Sequence, residues 1–366
     1  MIRFAEAVFD GHPDKFCDIL ADSIVSEAYQ ADPEAYAQIE VGVWSDSIWL
    51  SGATMTRQPL SRGIDEIVRD VGRRIGYTGG NHIDVEKYRI SNEACFAVGD
   101  PTQWTHKVND QSIVIGWAGY DGKTHFLPPE QFLVHTLRQS MVDSFAAGGL
   151  MDGQGPDGKI LVRLREECMK WHLEHVLVTV QQKESANLLD IGTSISGVLA
   201  DAYRRVQHND PRWVCEWDEV ELLVNPNGPL LNGGSDGDNG QTGRKLVMDF
   251  YGPRIPLGGG ALSGKDLSHI DRAGAYASRQ AAVHAVSSGA ESCQVTLVYA
   301  PNRNEPLDIS FQMVGRGQRL QASEFNHDSI CRRFLNTKNV ERLGSGGHFF
   351  QEEWPWNSYN LISEHL

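Results

Sequence analysis

The chain has 366 residues, 40% of them apolar, and its 33 lysines and arginines against 48 aspartates and glutamates leave a formal charge of -15. That length suits two or three domains with a sizeable core. The acidic balance argues against a general nucleic-acid or membrane-surface binder, because such proteins present a net basic face.

Hydrophobic periodicity repeats one order three times along the chain: helix, strand, strand, helix. The first copy predicts a helix over Asp18 to Gln30, strands over Gln38 to Trp44 and Ile48 to Met55, and a helix over Ile64 to Ile75. The second predicts a helix from Glu130 to about Ala147, strands over Lys159 to Arg165 and His172 to Gln181, and a helix from Ser185 to Val206. The third predicts Asp271 to Ser288, Ser292 to Ala300, Leu307 to Val314 and Ser323 to Leu335. A mixed unit repeated in this way implies an α+β fold of three similar domains, each a mostly antiparallel sheet with helices on one face. We expect them at 1–104, 105–230 and 231–366, joined by Gly/Pro-rich loops such as NPNGPLLNGG.

The six cysteines are scattered without a CxxC pair, which gives no zinc or redox motif and suits reduced thiols in a cytoplasmic protein. The N-terminus MIRFAEAVFDGHPDK has no basic region followed by an apolar one, and no apolar run approaches about 18 residues. Neither a secretion signal nor a membrane span is expected.

Chemistry concentrates in two glycine-rich basic segments, GGSDGDNGQTGRK from Gly233 to Lys245 and GGGALSGKDLSHIDR from Gly258 to Arg272. Glycines let backbone amides approach phosphate oxygens, and Arg244, Lys245 and Lys265 supply charge-assisted donors for a polyphosphate. A P-loop is a poor match, since Asp266 stands where Ser or Thr should meet magnesium and Pro253 and Pro256 spoil a preceding strand. A dinucleotide fold fits less well, because these glycines do not follow a first strand in a βαβ unit. Gly11-His12-Pro13-Asp14-Lys15 precedes a helix and reads either as a phosphate and metal site at its N-terminus or as a polar cap. Asp157-Gly158-Lys159, taken alone, reads as a hairpin-type turn, while Asp238 is an acid in a glycine loop suited to a metal, a ribose or an ammonium, and nothing local decides among these.

Taken together and in order, GHPDKFCDILADSI, NDQSIVIGWA, GPDGK, GGSDGDNGQTGRKLVMDFYG, GGGALSGKDLSHIDRAGAYASR and GHFFQEEWPW resemble the S-adenosylmethionine synthetase family over nearly the whole chain. The resemblance implies three α+β domains about a pseudo-threefold. It also implies a homodimer with active sites between subunits, with tetramers as the alternative, and a reaction of ATP with L-methionine followed by triphosphate hydrolysis. It further implies that His12, Lys159, Arg244, Lys245 and Lys265 serve the triphosphate and its departure. Asp157, Leu230, Asp238 and Ala261 would complete the ATP site, and Asp238 and His269 would meet methionine. Asp14 and Asp271 would hold two magnesium ions and Glu40 potassium.

The chain departs from the family pattern on the amino-acid and adenine side. Gly52-Ala53-Thr54-Met55 lacks the usual glutamate, His269 replaces a lysine, Pro229 and Leu230 replace an Arg-Phe pair, and the 99–110 segment is shortened so that Trp104 would cap the site. Competing readings are another acceptor, a triphosphatase, or a noncatalytic partner subunit, the last opposed by intact His12, Lys159 and Lys265.

Overall fold

The computed structural model describes residues 1–79, 83–337 and 339–357; residues 358–366 of the expected third segment lie outside them. In chain order the first third contains β1 (Ile2–Val8), α1 (Pro13–Ala31), β2 (Tyr36–Trp44), β3 (Ser47–Thr56), α2 (Ile64–Ile75), β4 (Arg89–Asn92), β5 (Cys95–Val98) and α3 (Thr102–Thr105). Then follow β6 (Ser112–Gly119), α4 (Pro129–Ser144), β7 (Gly158–Glu167), β8 (Lys170–Val180), α5 (Leu188–Asn209) and β9 (Glu221–Val224). The last third holds β10 (Gly240–Gln241), α6 (Leu246–Asp249), α7 (Ile270–Ser287), β11 (Ala290–Tyr299), β12 (Asp308–Gly315) and α8 (His327–Phe334).

Among the described residues these strands form three sheets, ordered β1-β7-β8-β9, β10-β2-β3-β4 with β5 beside β3, and β12-β11-β6. The pairs are antiparallel except for β4 and β5 on β3 and β9 on β8. Every sheet includes a strand from another third of the chain. β1 joins the sheet of β7 and β8, β6 joins that of β11 and β12, and β10 joins that of β2 and β3. The exchange runs once round the three units, so strand pairing crosses both of the boundaries expected at 104/105 and 230/231. The fold is α+β, with three helix-covered sheets whose strands interleave.

Each unit packs a helix pair on one face of its sheet: α1 with α2, α4 with α5, and α7 with α8. The reason is visible in the strand pattern. On β2, Ala37, Ile39, Val41 and Val43 are buried under α1 while the alternate residues are half buried or, at Trp44, exposed. The opposite faces stay open and carry exposed Phe4, Trp49 and Ile113.

The chain's described end seals the centre. Trp356 is fully buried, its ring stacks 3.7 Å from Tyr276 of α7 at an interplanar angle of 1°, and its Nε1 donates to the His348 carbonyl at 2.6 Å. Trp356→Ala should therefore cost about 3–5 kcal/mol of stability, read from the shift in the denaturant midpoint. A shift under about 1 kcal/mol would show that the C-terminal segment is not part of the core.

No helix among the described residues is long and apolar enough to cross a membrane. The six cysteines are free thiols, four of them buried.

Candidate active site

Two helices begin alike. α1 is capped by His12, whose Nδ1 accepts from the Asp14 amide at 3.2 Å, and α7 by His269, whose Nδ1 accepts from the Asp271 amide at 3.3 Å. In each helix the second residue is thus an aspartate at the positive end of the dipole. Both carboxylates face ammonium groups from the glycine-rich segments.

At the α1 station, Lys245 donates to Asp14 Oδ2, Arg244 Nε lies 3.4 Å from Oδ1, and the Gln241 amide donates to Oδ1 at 2.9 Å. Burial first, then Lys245, lowers His12 to about 4, so its ring is neutral at physiological pH. Asp157 is buried close by, accepts from the Gly234 amide at 2.7 Å, and is pushed up to about 6, chiefly by burial, with the charges of Asp238 and Asp14 adding to it. Asp238 also acts on His12. His12, Asp14, Asp157, Asp238, Arg244 and Lys245 therefore come together.

At the α7 station, Lys265 Nζ donates to Asp271 Oδ2 at 2.7 Å and the Ser112 hydroxyl to Oδ1 at 2.6 Å. Burial opposes ionisation of Asp271, but Lys265 and Ser112 hold it below the usual carboxylate range. His269 is 3% exposed and its pKa is lowered by burial and by Lys265. Glu40 on β2 is raised by burial and partly restrained by Lys265.

The two stations are separate in one chain. β2 holds both loops along the same edge, with Gly42 opposite Gln241 and Gln38 bridged to Lys265. The attachment points, Gln38 and Gly42, are four positions apart on the strand, about 13 Å at ~3.3 Å per residue.

Other expected residues lie apart. Lys159 sits on the open face of its sheet, paired with Glu6 at 2.7 Å. Leu230 lies on the loop that meets β8, its carbonyl accepting from the Gln182 amide at 2.9 Å. Ala261 packs against Gly243, linking the two glycine-rich segments. Ala53 pairs with Gln38 across β2 and β3. The shortened 99–110 segment is pinned: Trp104 packs 5.9 Å from Tyr36, Arg57 reaches Asp100 at 3.3 Å, and His106 meets Glu34 at 2.8 Å.

Sequence reasoning missed the buried charges beneath both stations. Lys15 lies between Asp18 at 3.0 Å and Asp249 at 2.6 Å, and Arg272 pairs with Asp22 at 2.7 and 3.0 Å. Asp14, Asp18 and Asp22 fall four apart on one face of a helix that is buried over most of its length, a spacing that signals polar partners inside the fold. Among the described residues no cluster of three or more His, Cys, Asp or Glu is arranged to hold a metal ion.

Residues 1–95 match the S-adenosylmethionine synthetase N-terminal domain and residues 232–358 its C-terminal domain. The chain is 33% identical to an S-adenosylmethionine synthase of Parvibaculum lavamentivorans, covering 94% of this chain and 91% of that protein. It is 30% identical to the Rhodospirillum centenum protein of the same name, covering 98% and 96%. In fold it resembles an unusual S-adenosylmethionine synthetase from Campylobacter jejuni, with a TM-score of 0.84 at 24% identity over 100% of this chain and 98% of that one. The chain belongs to the S-adenosylmethionine synthetase family. It is accordingly an enzyme of the methionine adenosyltransferase class.

Proposed function

We propose that the enzyme transfers the adenosyl group of ATP to the sulfur of L-methionine. A sulfur lone pair attacks C5′, the C5′–O5′ bond breaks with its electrons passing to the triphosphate, and a sulfonium forms. Water then cleaves the retained triphosphate to pyrophosphate and phosphate. A thioether nucleophile needs no base, so the protein's task is to align sulfur with the leaving oxygen and to stabilise charge growing on the phosphates.

The observation that carries this reading is the pair of lysine–aspartate stations at the starts of α1 and α7. In it, Lys159, Arg244, Lys245 and Lys265 exchange their carboxylate partners for phosphate oxygens, and neutral His12 stands by the leaving oxygen as a hydrogen-bonding group. Asp157, Leu230, Asp238 and Ala261 border the nucleotide, and Asp238 and His269 meet the ammonium and carboxylate of methionine.

Magnesium suits this donor set, because it keeps water and phosphate ligands and takes only one or two carboxylates from the protein. Asp14 and Asp271 would each supply one, and bound magnesium would neutralise triphosphate charge. Half-buried Glu40 offers an oxygen to potassium. Since one chain attaches its two cationic loops at different points along β2, joining the Lys265 station of one copy to the His12 station of a second would give a homodimer with shared sites. The open sheet faces with exposed Trp49 and Ile113 give it a surface. We also propose a cytoplasmic location and keep 1–104, 105–230 and 231–366 as the three domain segments, each lending one strand to the sheet of another.

The deciding experiment incubates purified protein with ATP, magnesium, potassium and methionine and identifies nucleoside and phosphate products by mass spectrometry and chromatography. S-adenosylmethionine with pyrophosphate and phosphate is expected; phosphate release that ignores methionine would overturn the reading in favour of a triphosphatase. A second reading, an altered acceptor, is favoured by the burial of His269 as a helix cap and by Ala53. His269→Lys should lower the KM for methionine while costing about 1 kcal/mol of capping. An unchanged KM would remove His269 from the methionine pocket.

A further inference from the structure

Beneath each cationic loop lies the same construction. Gly243, with φ +77°, precedes Arg244 and Lys245, and its amide donates to Asp18 Oδ1 at 2.8 Å. Gly264, with φ +84°, precedes Lys265, and its amide donates to Asp22 Oδ1 at 2.9 Å. Both aspartates belong to α1, are fully buried and sit one turn apart on the same face, about 6 Å along the axis.

Each aspartate is balanced by a buried cation that immediately follows a station carboxylate, Lys15 after Asp14 and Arg272 after Asp271. Those cations close the clamp from the far side. Lys15 also grips Asp249, at the end of the short helix that follows Lys245, and Arg272 also donates to the Lys265 carbonyl at 2.7 Å. Each loop is thereby fixed to α1 on both sides of its phosphate-facing cations.

We infer that Asp18 and Asp22 are positioning residues, and that α1 serves as a common ruler setting where the two cationic loops stand. A left-handed glycine bound to a buried carboxylate leaves the next residue little freedom, so the lysine head group is presented with little ordering cost when phosphate arrives. The inference rests on the phosphate role proposed for these loops and adds which buried groups hold each loop in register. Neither aspartate is called upon to touch substrate.

The test is a set of double-mutant cycles read by calorimetric titration of the full-length protein with magnesium tripolyphosphate. Asp18→Asn and Asp22→Asn keep shape and an acceptor but remove the charge that fixes the clamp, and each should weaken binding by about tenfold. Asp18→Asn should be non-additive with Lys245→Ala and additive with Lys265→Ala; Asp22→Asn should show the reverse. A purely structural role would move all four combinations alike and would track the unfolding midpoint.

Additive cycles throughout, with Lys245→Ala and Lys265→Ala each weakening binding, would overturn the inference and leave the phosphate reading intact. Absence of tripolyphosphate binding by the unaltered protein would overturn both. Should an asparagine variant not fold, the charge-cancelling pairs Asp18→Asn with Lys15→Gln and Asp22→Asn with Arg272→Gln carry the same cycles.

Discussion

Lys265→Ala is expected to reduce S-adenosylmethionine formation by about a hundred- to a thousandfold, the usual loss when a preorganised donor to developing negative charge is removed. On the proposed reading the ammonium is fixed before substrate binds, 2.7 Å from Asp271 and 9% exposed at its side chain. Without it the triphosphate would leave against less compensating charge, so kcat should fall with kcat/KM. The protein should stay folded, with a smaller change in stability. Asp271 keeps the Ser112 hydroxyl and lies at a helix N-terminus, so its lost partner costs on the order of 1–3 kcal/mol. A folded variant that turned over at the original rate would remove Lys265 from the chemistry.

The helices and paired strands were legible because burial imposes a period. Ile64 to Ile75 lies where apolar spacing puts it, and Ser47–Thr56 and Gly158–Glu167 alternate as sheet with one covered face should. Helix starts were less visible. α1 begins at Pro13 rather than Asp18, since proline suits the first helical position and His12, an uncommon cap, accepts the amide bond. The helix expected from Ser185 begins at Leu188 because Asn187 supplies the cap, and the one expected over Ser323 to Leu335 breaks at Asn326, leaving a short 3₁₀ turn before α8.

Strand exchange was hidden for a different reason. Ile2–Val8 and Ser112–Gly119 have ordinary strand composition, yet nothing in a local pattern says which sheet a strand will join. Only pairing partners 150 and more residues away decide it, as for Ile2 opposite Arg165. The site was legible where chemistry is concentrated in short motifs, as with His12 and Asp14 or Lys265 and Asp271. Its supports were not, because Asp18, Asp22, Lys15 and Arg272 look like surface charges until the fold buries them together. Lys159 shows the converse: the structure pairs it with Glu6, so its motif alone does not say what it faces before substrate arrives.

A loss of stability as large as that of Trp356→Ala is expected from Asp22→Ala. Arg272 is completely buried, stays charged, and makes two bonds to Asp22, one to the Lys265 carbonyl and one to the Tyr276 hydroxyl at 3.0 Å. Removing the aspartate leaves an uncompensated guanidinium in the interior, a cost of about 3–5 kcal/mol against a total stability of roughly 5–15 kcal/mol. Denaturant midpoints measure it directly. Replacing both partners, Asp22→Leu with Arg272→Met, removes the buried charge altogether and should return much of the loss, since apolar residues of similar volume often match a buried ion pair. The two measurements then part company. The double variant should regain stability without regaining tripolyphosphate affinity, because neither new side chain can accept from the Gly264 amide or donate to the Lys265 carbonyl. A single variant as stable as the unaltered protein would show that water or another group reaches Arg272, and a double variant that recovered affinity as well would show that the Lys265 loop keeps its place without the pair.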